Sequence, residues 1–181
     1  IHPDTITMTV LREPIDRMIS HYYFVKQDNR NYLHDQVVKS AISLEDYANS
    51  KLSDEIQNWY TTHFTGLTAD EVDSNPDEAL RLAAQIVRER YDIVGFQDDL
   101  TYAAEQLKKS ANLSQPFVNV VRNSTLGRVG VREIAGSAKN AIARANSVDI
   151  KLFEMLQGNT SGSVADGVSE RAANVASPPI P

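Results

Sequence analysis

Thr5-Ile6-Thr7-Met8-Thr9-Val10-Leu11-Arg12-Glu13-Pro14-Ile15-Asp16-Arg17-Met18-Ile19-Ser20-His21-Tyr22-Tyr23-Phe24 changes its hydrophobic period partway along. Up to Leu11, the apolar residues Ile6, Met8 and Val10 alternate with threonines, the period-two pattern of a strand made of β-favouring residues. Pro14 then stands where a first helical turn tolerates proline. Ile15, Met18, Ile19, Tyr22 and Tyr23 follow at i, i+3, i+4, i+7 and i+8. The stretch predicts a strand and, within three residues of its end, a helix with one buried stripe. The order returns at Ile93-Val94-Gly95-Phe96, a short apolar run followed by a helical pattern carrying Leu100, Ala103, Ala104 and Leu107. Two strand-then-helix units favour an α/β fold over an all-α one.

Working outward, residues 28–35 are polar and turn-rich and read as a surface loop. Ser43-Leu44-Glu45-Asp46 has a capping serine and an acidic first turn, and Ser53-Asp54-Glu55 repeats the signal before Ile56, Trp59, Tyr60 and Phe64, so two short helices are expected. Asn75-Pro76-Asp77-Glu78 is the clearest helix entry, with a capping Asn, Pro at the first helical position and Glu three residues after the cap. Residues 117–121 are a candidate third extended piece, and 122–132 form a polar, basic loop. Helical spacing then runs through Ile134, Ala138, Ala141 and Ile142 to Leu156, with a break expected at Asn146-Ser147. Residues 157–181 contain no aromatic residue and are mostly Gly, Ser, Ala, Asn and Pro, too little apolar surface to offset ordering entropy. The expected organisation is therefore one α/β domain over 1–156, with a small parallel sheet and predominantly helical content, and a disordered tail over 157–181.

A chain of 181 residues suffices for one domain with a real core. It contains no cysteine, which removes disulfides, thiol nucleophiles and cysteine-bearing zinc sites together. A net charge of −6 argues against a nonspecific nucleic-acid binder, which neutralises phosphates with surplus Lys and Arg. No apolar run approaches the roughly 20 residues of a membrane helix, and no basic segment with an apolar core opens the sequence, so membrane association is not visible. His2, His21, His34 and His63 show no metal-ligand spacing, and no metal is expected. Asp70, Glu71, Asp73, Asp77 and Glu78 read as a solvated loop and helix cap. Trp59, Tyr60 and Phe64 at helical spacing read as core in preference to a sugar-stacking platform.

Arg12 falls at the carboxyl end of the first strand, where open α/β sheets bind ligands, with the amino end of the next helix alongside. A guanidinium, helix-terminal N–H groups and the Ser20 hydroxyl two turns on would suit a phosphate. The plainer reading pairs Arg12 with Glu13 or Asp16 at the surface and leaves Ser20 as an ordinary polar helix position. His21 beside Ser20 either packs or reaches toward an acceptor or a phosphate.

The whole string resembles the sulfotransferase superfamily, in which a strand ends in Arg-Asp/Glu-Pro and a serine eight residues after the arginine completes the site for the 3′-phosphate of 3′-phosphoadenosine 5′-phosphosulfate. The continuation Ser20-His21-Tyr22-Tyr23-Phe24 is similar to the polysaccharide sulfotransferases, especially the 2-O-sulfotransferase-like branch. Arg90 to Leu100 is similar to that family's strand-to-helix segment. Phe117-Val118-Asn119-Val120-Val121-Arg122-Asn123-Ser124, with the later helix bearing Asp149, is similar to its C-terminal cofactor loop and closing helix.

The resemblance implies a partial P-loop-like three-layer fold. It also implies transfer of a sulfuryl group to a hydroxyl of a carbohydrate or related acceptor. Arg12 and Ser20 would bind the 3′-phosphate, and Arg122, Asn123 and Ser124 would assist, in a polar loop that includes Thr125 and Arg128. The family's Gly-rich, lysine-bearing donor loop is not found in these residues. The resemblance places it, with the general base of the 2-O branch, before Ile1. These residues are thus expected to be an N-terminally truncated portion holding half of the donor site. Two alternatives stay open: a noncatalytic binding domain of the same fold, and another P-loop nucleotide-binding enzyme such as a kinase. The expected location is the bacterial cytoplasm, or the Golgi lumen where a signal anchor precedes the chain.

Overall fold

The computed structural model describes residues 5–116 and 127–162, with side chains through residue 158. The first strand, β1 (Met8–Leu11), begins later than the alternation suggests. Thr7 is held just before it, its N–H donating to Asp92 Oδ2 at 2.8 Å and its hydroxyl to the Arg90 carbonyl at 2.6 Å. Glu13 and Pro14 then start α1 (Pro14–Gln27). Pro14 lacks the N–H that would be unsatisfied there, and the Glu13 carboxylate accepts from Ile15 N at 3.1 Å and Asp16 N at 2.7 Å. Of the predicted stripe, Met18, Ile19 and Tyr22 are buried and Ile15 and Tyr23 are half-buried against the same core, which Val25 extends.

Five helices and a 3-10 turn follow before the second strand. α2 (His34–Lys39) begins inside the stretch read as a loop. α3 (Leu44–Ala48) starts as expected, with Ser43 Oγ accepting from Asp46 N at 3.1 Å. Ser53, the second expected cap, starts only the 3-10 turn Asp54–Ile56, and α4 (Trp59–Thr65) begins after Asn58, which sits in the left-handed region with φ 44°. The acidic stretch read as a solvated loop folds into α5 (Ala69–Ser74), because Thr68 and Glu71 satisfy each other's main-chain amides in a capping box. α6 (Pro76–Arg90) enters on its proline and acidic first turn. The Asn75 side chain makes no capping bond, and Glu78 turns to Arg81 at 2.6 Å instead of reaching back.

β2 (Ile93–Phe96) lies parallel to β1, with Met8 opposite Ile93 and Leu11 opposite Phe96. α7 (Thr101–Ser110) packs directly on β2 at Gly95, where an added Cβ would stand 2.7 Å from the Ala103 Cβ. α8 (Gly136–Ala145) and α9 (Ser147–Gly162) are separated at Asn146, at the predicted break, and α9 runs past the expected domain boundary at Leu156. The candidate extended piece at 117–121 and residues 163–181 of the expected tail lie outside the described residues. The observed fold is mostly helical with a two-stranded parallel sheet. Its core has two main parts: Met18, Ile19, Val25, Val37, Tyr47 and Ile142 on one side, and Leu11, Val87, Phe96, Leu152 and Phe153 around the sheet on the other.

Candidate functional site

Arg12 directly follows β1, and its main chain is clamped by a residue 48 positions away. Its N–H donates to the Tyr60 hydroxyl at 2.8 Å, and that hydroxyl donates to the Arg12 carbonyl at 3.0 Å. Burial pushes the Tyr60 phenol up, so it stays a neutral donor and acceptor. With its backbone fixed, Arg12 turns its guanidinium along α1, and Nε donates to Asp16 Oδ2 at 2.5 Å. The other Asp16 oxygen accepts from the guanidinium of Arg128, 112 residues further along the chain. One carboxylate therefore gathers two guanidiniums at the carboxyl end of the sheet.

The charges around this pair nearly cancel. Glu13, half-buried beside it, is held at the α1 amides, and burial, aided by Asp98, raises its carboxyl above the ordinary range. Burial lowers Arg12 somewhat, opposed by Tyr60, Asp98 and Glu13, and a guanidinium remains cationic throughout. Arg128 is also lowered, first by burial and then by Arg12. Its Nε is buried without a hydrogen-bond partner among the described residues, an unspent donor in a cationic group. Ser20 lies one turn beyond Asp16 on the same face of α1 and is half-buried. A cavity of about 540 Å³, lined by Asp98, Leu100, Thr101, Glu105 and Lys108 among others, opens beyond β2 at this same end of the sheet.

Of the residues expected to bind a phosphate, Arg12 lies between β1 and α1 and pairs with Asp16, Ser20 stands one turn beyond Asp16 on α1, and Arg128 reaches the same Asp16 from the distant loop. Arg122, Asn123, Ser124 and Thr125 lie outside the described residues. The plainer reading of Arg12 is also realised, since its partner is Asp16. His21 faces elsewhere: its Nε2 meets Glu55 Oε2 at 2.8 Å and its Nδ1 meets the Tyr47 hydroxyl at 3.3 Å. Burial lowers its pKa against the opposing pull of Glu55, and in the neutral ring Nε2–H donates to Glu55 while Nδ1 accepts from Tyr47. His63 is exposed and lies against Trp59 with ring centroids 4.9 Å apart and planes tilted by 36°, while Trp59 and Phe64 pack against the core around the sheet.

Behind Arg12 is a buried polar junction that the sequence reading did not assemble. Asn58 precedes α4, yet its Oδ1 accepts from Val148 N at 3.0 Å and Asp149 N at 3.3 Å, in the first turn of α9. Asp149 belongs to α9, yet its carboxylate accepts from Tyr60 N and Thr61 N at 2.8 Å each, in the first turn of α4. Each residue caps the other's helix. The signal was present as a polar residue at each helix start, but spacing along the chain assigns a cap to its own helix. Burial raises Asp149, opposed by these donors and by Arg17. Arg17, nearly enclosed, donates to the Glu55 carbonyl at 3.0 Å and to Asn146 Oδ1 at 3.3 Å, and lies over the Tyr60 ring at 5.5 Å from its centroid. The junction thus fixes Tyr60, and Tyr60 fixes Arg12.

Among the described residues no group of His, Cys, Asp and Glu is placed to hold a metal ion, and no helix is long and apolar enough to cross a membrane. No family model matches the chain, and neither the curated proteins nor the solved structures compared with it contain a match.

Proposed function

We propose that the carboxyl end of the sheet binds the 3′-phosphate of an adenosine 3′,5′-bisphosphate group, and that the chain serves sulfuryl transfer from 3′-phosphoadenosine 5′-phosphosulfate to a hydroxyl of a carbohydrate or related acceptor. The observation that carries the reading is the meeting of Arg12 and Arg128 on Asp16 at the end of β1, with Ser20 one helical turn beyond Asp16 and an unspent Nε–H on Arg128. Two guanidiniums of fixed geometry are suited to a dianionic phosphate, which each can meet with paired donors. The order of motifs supports the finer architecture, a partial P-loop-like three-layer fold, in which Arg122, Asn123 and Ser124 assist at the nucleotide. Transfer of this kind depends on positioning and charge stabilisation, as in phosphoryl transfer.

Calorimetric titration with adenosine 3′,5′-bisphosphate tests the reading. The chain is expected to bind it, and Arg12→Ala to weaken binding by at least roughly tenfold, the loss of one charge-assisted contact. Equal affinity in both proteins, or no binding by the chain even with an upstream donor segment supplied, would overturn it.

A further inference from the structure

Two guanidiniums and two helix amides at the end of β1 donate to the chain's own carboxylates, and these carboxylates differ in kind. Glu13 is bonded to two main-chain amides of α1, at 3.1 and 2.7 Å, which belong to the helix and do not move independently of it. Asp16 bonds the side chains of Arg12 and Arg128, and its own side chain is 22% exposed, so it has solvent to turn into. Its position also matters. Asp16 stands in the first turn of α1, just past Arg12, and bonds both guanidiniums, so an anion drawn to Arg12 and Arg128 together meets the Asp16 carboxylate between them.

We infer that Asp16 is an internal competitor for this site, a stand-in for the ligand's anionic group that must leave at least one guanidinium before a phosphate or sulfate group can bind. The inference rests on the anion-site reading above and adds its regulation. While Asp16 is charged, it, Glu13 and Asp98 offset Arg12, Arg128 and Lys139, and an incoming dianion meets no net positive field. Once Asp16 is neutral or displaced, one positive charge is uncovered, and like-charge repulsion of the ligand falls. The buried Nε of Arg128, which lacks a partner among the described residues, offers the incoming anion a further donor.

The experiment measures binding of inorganic sulfate and of adenosine 3′,5′-bisphosphate to the chain, to Asp16→Asn and to Asp16→Asn with Arg12→Ala. Asp16→Ser, shorter and also neutral, is used should the asparagine variant not fold. Removing the competitor is expected to tighten binding of both probes roughly tenfold, and Arg12→Ala is expected to abolish the gain. A merely structural Asp16 gives the opposite sign, since loosening two arginines lowers affinity. Unchanged or weaker sulfate binding in the neutral variants, with helical content preserved, overturns the inference. Tighter sulfate binding with no nucleotide binding by any variant upholds the competitor and removes the nucleotide reading. Nucleotide binding by the unmodified chain that neutral variants fail to tighten removes the competitor alone.

Discussion

Asp149→Ala removes a buried carboxylate that caps a helix other than its own. The Tyr60 and Thr61 amides, each 2.8 Å from it, lose their acceptor, and the Thr61 hydroxyl, also at 2.8 Å, loses one as well. Asp149 is fully buried and the amides lie at a helix start inside the protein, so water does not replace the carboxylate without opening the α4–α9 contact. A buried donor left unsatisfied costs about 1–3 kcal/mol. Two amides, with the hydroxyl free to rotate to another acceptor, give a loss of about 3–5 kcal/mol, a large part of the roughly 5–15 kcal/mol that holds a domain together. With a urea dependence of about 2 kcal/mol per molar, the unfolding midpoint falls by roughly 1.5–2.5 M. Asp149→Asn keeps one acceptor oxygen but points an amide at a donor, and is expected to lose about half as much. Asn58→Ala, the reciprocal cap, also lowers the midpoint, and the double variant loses less than the sum because each residue orders the helix the other caps. A loss below about 1 kcal/mol for Asp149→Ala, with native helical content, would refute the reciprocal-cap argument.

Three further outcomes are expected. Tyr60→Phe removes both bonds to the Arg12 main chain; stability falls by about 1–3 kcal/mol and the affinity for adenosine 3′,5′-bisphosphate drops, whereas unchanged affinity would show that the clamp does not position Arg12. His21 is held neutral by burial, so its folded pKa lies below the value of about 6.5 in the unfolded chain. The unfolded state then binds more protons just below that pH, and stability falls as pH drops through it, by up to about 1.4 kcal/mol per pH unit. His21→Gln, still able to face Glu55 and Tyr47, is expected to flatten that slope in urea midpoints measured between pH 7.5 and 5.5, and an identical slope counts against the assignment. Gly95→Ala drives a methyl to 2.7 Å from the Ala103 Cβ and lowers stability by about 1–3 kcal/mol in thermal melts, with Ala103→Gly restoring part of it; a neutral Gly95→Ala would mean that α7 is free to shift.

Local chemistry made much of the fold legible. The change of period at Pro14 located β1 and α1, the apolar run at Ile93 located β2, and Ser43 announced α3, because in each case the deciding groups are neighbours along the chain. The failures share one cause. Asn75 looks like a cap and does not act as one, while Ser53 caps a 3-10 turn and leaves the start of α4 to Asn58, whose side chain is engaged by α9. α5 was hidden because its residues are almost all acidic or small, and only the paired bonds of Thr68 and Glu71 hold it. Arg12 and Ser20 stand out in the sequence as phosphate candidates through the motif they resemble, and the pairing of Arg12 with Asp16 was one of the readings open there. Tyr60 as the clamp and Arg17 beneath it do not stand out, since neither contact has a signature in the intervening residues.

The sequence by itself determined the elements whose stabilising groups lie within a few residues of each other: the strand ends, the helix faces and the pairing of Arg12 with Asp16 across the start of α1. Only the tertiary structure decided which polar groups meet across distance. It brought Arg128 to Asp16, exchanged the caps of α4 and α9 through Asn58 and Asp149, and turned His21 away from Ser20 toward Glu55 and Tyr47. The physical reason is that a buried donor or acceptor must find a partner wherever packing places it.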